Sequence, residues 1–158
     1  MFAVDPKDYI PLADYTFAWR WRDADRVDIP VAALRRIRPL STPKAGQAWE
    51  YVKRFQGDAY WSRFREVGEF AVDGQSAGAR SWLAGHLPGQ TAKIYISWTQ
   101  RMALETDSAL FIEYWDTFCF PVEDVVIWPP SENWVLLFDY KERFYYAVEK
   151  TAAPIDTD

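Results

Sequence analysis

Apolar and polar positions alternate along several short stretches of this chain. Tyr15, Phe17, Trp19 and Trp21 interleave with Thr16, Ala18, Arg20 and Arg22, a period of two that predicts a half-buried strand with its arginines on the outer face. Asp28-Ile29-Pro30 reads as a helix start, with Val31, Leu34 and Ile37 following at three-residue spacing and Pro39 ending the run. Ser41-Thr42-Pro43 is a second start signal. The segment 44–56 then places Ala48, Val52 and Phe55 on one side, and Gly57 closes it. Asp58 caps a third short helix carrying Tyr60, Trp61 and Phe64. The segment 67–90 holds five of the seven glycines and predicts a loop-rich crossing with one helical turn near 80–83.

From Ala92 onward the pattern predicts strands. Ile94, Ile96 and Trp98 alternate with Lys93, Tyr95 and Ser97, and Leu110, Ile112 and Tyr114 alternate with Phe111, Glu113 and Trp115. Val125 to Trp128 is a short apolar run stopped by Pro129-Pro130. Asn133 to Tyr140 is apolar on both faces except at Asp139, which suits a central strand. Arg143 to Glu149 returns with Phe144, Tyr146 and Val148 on one face. The last two runs pair as a hairpin across Lys141-Glu142, a turn that lacks Asn-Gly chemistry and so calls for a slightly longer loop. The expected fold class is α+β, with an N-terminal strand and short helices packed on one face of a mostly antiparallel C-terminal sheet. One domain over residues 1–150 and a flexible tail over 151–158 fit a chain of 158 residues.

Composition narrows the chemistry. There are nine Trp, nine Tyr and ten Phe, but one His (His86) and one Cys (Cys119). A single cysteine forms no internal bridge, which fits a reducing compartment. Met1 to Ile10 contain Asp5, Lys7 and Asp8 and no apolar run, so no secretory signal is expected. No stretch reaches the roughly 18 apolar residues of a membrane helix. These features lead us to expect a cytoplasmic protein with no membrane partner. Phosphate-loop, dinucleotide, nucleophile-elbow, zinc-protease and dithiol motifs are all missing from the chain. No cofactor and no metal are expected.

Charge is distributed unevenly. Residues 1–101 carry 15 Lys+Arg against 11 Asp+Glu, a net of +4. Residues 102–140 contain no basic residue and eight acidic ones, Glu105, Asp107, Glu113, Asp116, Glu123, Asp124, Glu132 and Asp139. Such a block attracts cations, unless the basic N-terminal part neutralises it within the fold. Arg20-Trp21-Arg22 and Arg35-Arg36-Ile37-Arg38 carry arginine beside aromatic or apolar residues, but a pI near 4.9 argues against nucleic acid.

His86, in Gly85-His86-Leu87-Pro88, has no carboxylate nearby in sequence to orient it and reads as a loop histidine without catalytic work. Cys119 lies among aromatics and is flanked by Asp116 and Glu123, so it reads as a small buried hydrophobe. Glu113, Asp116, Glu123 and Asp124 are the best chemical candidates, either as an acid–base pair or as a rim for a basic partner. Trp115, Trp128 and Trp134 fall close to that acidic segment. Together with Glu132 they complete an expected binding face of aromatic anchors rimmed by carboxylates.

Tyr9-Ile10-Pro11-Leu12 and the aromatic run through Trp19 resemble the opening of an uncharacterised bacterial family of small single-domain proteins, mainly over the first 50 residues. Asp124-Val125-Val126-Ile127-Trp128 and the run Trp134 to Tyr140 are similar to small bacterial immunity proteins that neutralise toxins. The chain lacks the Leu-Pro-x-x-Tyr and Asn-Gly-Gly pattern of the largest such group, so no functional residue is carried over. The resulting expectation is a non-enzymatic binding protein, of immunity or antitoxin type, that engages a basic protein through an acidic aromatic face. The alternative is a small enzyme or ligand-binding protein using the carboxylates in a tryptophan-lined pocket.

Overall fold

A computed structural model describes residues 1–87 and 92–150. Seven strands form one sheet: β1 (Arg38–Pro39), β2 (Phe64–Ala71), β3 (Lys93–Thr99), β4 (Met102–Asp107), β5 (Val125–Trp128), β6 (Trp134–Phe138) and β7 (Arg143–Glu149). Their order is β1-β4-β3-β5-β6-β7-β2, and every pairing is antiparallel. The helices are α1 (Trp19–Arg22), α2 (Val31–Leu34), α3 (Thr42–Tyr51), α4 (Gly57–Arg63), α5 (Ser76–His86), α6 (Ser108–Glu113) and α7 (Trp115–Phe118). The α+β class therefore holds.

The start signal at Ser41 works as its chemistry predicts: its hydroxyl accepts the Lys44 N–H at 3.3 Å, and Pro43 occupies the first turn. The hairpin of β6 and β7 is present with Leu136 opposite Tyr146. Its connection spans Asp139 to Glu142, closed by the Glu142 N–H on the Asp139 carbonyl at 2.9 Å.

The sheet is covered on both faces, where sequence reasoning expected one. Period-two alternation sends Ile94, Ile96, Val125, Ile127, Leu136 and Phe138 to one side, where they meet Trp21, Leu83, Phe111 and Phe118. Tyr95, Trp128, Val135 and Ala147 point to the other side, against Phe2, Ala45, Ala48 and Phe55. Thus α3 and α4 cover one face, and α1, α5, α6 and α7 cover the opposite one. A sheet buried twice needs apolar residues at consecutive positions, which is why β6 lacks a polar face.

Two expected strands are helical. Over residues 15–22 Arg20 is buried rather than on an outer face, Trp19 is 45% exposed, and the buried apolar residues are Tyr15, Ala18 and Trp21. That spacing of three belongs to turns and helix, and the alternation of aromatics concealed it. Over residues 110–118 the buried apolar residues are Leu110, Phe111, Trp115 and Phe118, one side of a helical path. The cause is a cap: the Asp107 carboxylate accepts the Leu110 N–H at 2.9 Å.

Three further elements, β4, β2 and α5, were not anticipated as such. β4 carries Glu105, Thr106 and Asp107, all buried, so its polar composition hid a fully enclosed strand. β2 and α5 occupy most of the segment expected to be loop-rich. Residues 88–90 of that segment, and the expected tail 151–158, lie outside the described residues. Gly68 of β2 lies under His86 and Trp82 of α5; a Cβ there would come within 2.7 Å of His86 Nε2. His86 itself ends α5, with Nδ1 2.8 Å from the Trp82 carbonyl and its ring 4.2 Å from the Trp82 ring. No helix among the described residues is long and apolar enough to cross a membrane.

Candidate functional site

The eight carboxylates of residues 102–140 separate into three groups. Four are engaged by cations from elsewhere in the chain. Arg20 Nη2 donates to Glu123 at 2.6 Å, and the Phe120 N–H reaches the same oxygen at 3.0 Å. Arg36 holds Asp107 with two hydrogen bonds, 2.7 and 2.6 Å, the bidentate geometry that guanidinium and carboxylate share. Glu105 receives Arg38 at 3.1 Å, Lys93 at 3.5 Å and the Tyr9 hydroxyl. Glu132 receives Arg54 at 3.3 Å, Arg63 at 3.2 Å and the Tyr51 hydroxyl. Glu132 also has a φ of +56°, a left-handed backbone that the two arginines and the tyrosine hold in place.

Two more carboxylates serve the loop that joins β6 to β7. Asp124 accepts the Tyr140 N–H at 3.1 Å, and Asp139 accepts the N–H groups of Lys141 and Arg143. The remaining two, Glu113 and Asp116, are exposed and have no basic side chain within 4.0 Å among the described residues. Half of the acidic block is therefore paired with cations inside the fold, and the rest divides between the β6–β7 loop, where backbone N–H groups hold Asp124 and Asp139, and the place where Glu113 and Asp116 lie.

That place is a cleft of about 810 Å³ between α5 and the α6–α7 pair. Ala84 and Leu87 line it from the α5 side, and Ala109 and Ile112 from α6. Arg80, Glu113, Tyr114 and Asp116 supply its polar groups. The volume falls in the range of small-molecule and side-chain binding pockets, roughly 300–1,000 Å³. Partial burial, then the negative charges of Glu113 and Asp28, push the Tyr114 hydroxyl's pKa up.

The expected aromatic anchors are elsewhere. Trp115, Trp128 and Trp134 are buried, with Trp128 in the core beneath α3 and the other two in the opposite core. Trp115 Nε1 donates to the Ser76 carbonyl at 3.2 Å, which ties α7 to α5 beside the cleft. Of the eight residues expected to form the binding face, only Glu113 and Asp116 line the cleft; Glu123, Asp124, Glu132 and the three tryptophans do not. Sequence reasoning missed Arg80, Ala84, Ile112 and Tyr114. The signal was available only in part: Arg80 and Ala84, like Ile112 and Asp116, are four residues apart, the spacing of neighbours on a helix face.

Cys119 is buried, and burial followed by the charge of Glu123 pushes its thiol well above the usual range. No group of three or more His, Cys, Asp or Glu among the described residues is placed to hold a metal ion.

The paired carboxylates make stability depend on acid. Burial alone would raise Asp107 and Glu132. For Asp107 the Arg36 and Leu110 hydrogen bonds outweigh burial, and for Glu132 the Tyr51, Arg63 and Arg54 interactions do, so both titrate below their ordinary values. Groups depressed in the folded state contribute stability that is complete above the unfolded value, about pH 4, and is lost as pH falls through the folded value. Urea midpoints measured downward from neutral pH are therefore expected to fall below about pH 4. The fall should be shallower in the D107N/E132Q double variant. An equal slope in both proteins would show that other groups carry the acid sensitivity.

Comparison of the chain with protein-family models, with curated proteins and with solved structures returned no match.

Proposed function

We propose that this chain is a non-enzymatic binding protein that captures a basic protein by seating a cationic side chain in the cleft between α5 and α6–α7. One observation carries the reading. Of eight carboxylates in residues 102–140, the two with neither an ion pair within 4.0 Å nor a loop N–H among the described residues are the two that line this cleft of about 810 Å³. The aliphatic floor of Ala84, Leu87 and Ile112 suits the methylene stem of an arginine or lysine, and Glu113 and Asp116 suit its charged head. Arg80 at the rim favours an approach that keeps the incoming cation on the α6–α7 side. The likeness of residues 124–140 to small immunity proteins supports a toxin-neutralising role of immunity or antitoxin type. The enzymatic alternative keeps two carboxylates in one concavity but loses its tryptophan-lined setting.

Short apolar peptides carrying one central arginine or lysine, and their norleucine counterparts, test the proposal by calorimetric titration. The basic peptides are expected to bind about tenfold more tightly, with the advantage shrinking as salt is added. The E113Q/D116N double variant should remove that advantage. Equal affinity for the norleucine peptides, or an unchanged preference in the double variant, would overturn the reading.

A further inference from the structure

A second concavity has the opposite character. A groove of about 470 Å³ runs between the N-terminal segment 10–13 and α2. Ile10, Leu12, Val31 and Leu34 form its apolar surface, and Arg22 and Arg35 stand on it as cations. Val31 is 69% exposed, so an apolar side chain faces solvent on a helix of only four residues.

The arginines are the informative part. In a chain of net charge −5, neither Arg22 nor Arg35 has a carboxylate within 4.0 Å among the described residues. The flanking arginines do have partners: Arg36 is committed to Asp107 and Arg38 to Glu105. Arg38 also lies 3.8 Å above the Tyr9 ring at the end of the groove, which fixes that wall. Two guanidinium groups without internal anions thus border an apolar trough fixed at one end.

We propose that this groove binds a free anionic amphiphile, a carboxylate with a short alkyl chain. The alkyl chain lies along Ile10, Leu12, Val31 and Leu34, and Arg22 and Arg35 receive the carboxylate. Guanidinium binds carboxylate through paired N–H donors, and the apolar surface excludes ligands that carry charge alone. The volume accommodates a molecule of this size. The groove shares no lining residue with the cleft between α5 and α6–α7, so the proposal stands independently of that one.

Amide-resolved NMR titration with octanoate, octan-1-ol and octylamine tests it. Octanoate is expected to shift the resonances of residues 10–12 and 31–35 and to bind about tenfold or more tightly than the alcohol, because only the anion engages the guanidinium groups. The R22Q/R35Q variant should bring octanoate down to the level of the alcohol. V31D should weaken both without unfolding the protein, since the position is exposed. Equal binding of octanoate and octanol, tighter binding of octylamine, or full octanoate affinity in R22Q/R35Q would overturn the proposal. Retention on vesicles containing anionic lipid, with no binding of free octanoate, would overturn it as well and would assign the groove to a membrane surface.

Discussion

Replacing Trp128 with alanine is expected to destabilise the protein by about 3–5 kcal/mol, the range for deleting a fully buried large aromatic side chain. Trp128 is 0% exposed at the centre of the core beneath α3. Its ring lies 5.7 Å from Phe55, 5.8 Å from Phe2, 5.8 Å from Tyr95 and 6.1 Å from Tyr51. Four aromatic neighbours cannot all move into the space an alanine leaves, because each is also held by its own element. A phenylalanine at the same position is expected to cost far less, about 1–2 kcal/mol. It keeps most of the ring contacts and removes an indole N–H that is buried without a hydrogen-bond partner. Urea unfolding of the three proteins gives the comparison. A loss below about 2 kcal/mol for the alanine variant would mean that this core relaxes into the cavity. A change in slope as well as midpoint would instead point to a changed unfolded state.

The second large effect is an asymmetry at the Arg20–Glu123 pair. The Arg20 side chain is 3% exposed, whereas that of Glu123 is 28% exposed. Its guanidinium lies 3.6 Å from the Phe120 ring centroid and 5.7 Å from that of Trp98. Removing the acid with Glu123→Leu leaves a buried cation without its counter-charge, and a loss of about 3–5 kcal/mol is expected. Removing the cation with Arg20→Met leaves a carboxylate that still accepts the Phe120 N–H and still reaches water, so the loss is expected to be smaller. The double variant Arg20→Met/Glu123→Leu is expected to be more stable than Glu123→Leu alone, because no buried charge remains. Denaturant midpoints for the four proteins form a double-mutant cycle. A double variant less stable than Glu123→Leu would show that Arg20 contributes mainly through packing on Phe120 and Trp98.

Ion pairs such as this one also explain why the acidic block looks so different in sequence and in space. Arg20 and Glu123 are 103 residues apart, and Arg36 and Asp107 are 71 apart. Each pair consumes a carboxylate that would otherwise add to an exposed negative field. What survives lies at the β6–β7 loop, where Asp124 and Asp139 bind backbone N–H groups, and at the cleft, where Glu113 and Asp116 stand in a concavity that can seat a partner's side chain.

Several elements were legible from residue order. β3, β5, β6 and β7 follow from apolar runs and alternation, and α3 follows from Ser41-Thr42-Pro43, because strand faces and helix caps depend on neighbours a few residues away. The burial of Cys119 followed from its aromatic neighbours in the same way. The segments 15–22 and 110–115 were misread because aromatic residues occupied both inward and outward positions, so two periods fitted equally well until packing chose one. β4 was hidden because Glu105 and Asp107 look like surface residues until Arg38, Lys93 and Arg36 arrive from distant segments. For the candidate site, residue order established that positions 102–140 carry negative charge without compensation in the same segment. Only the tertiary structure decided which of those charges are cancelled and which face a cleft, since ion pairing across the fold depends on distances that no local pattern records.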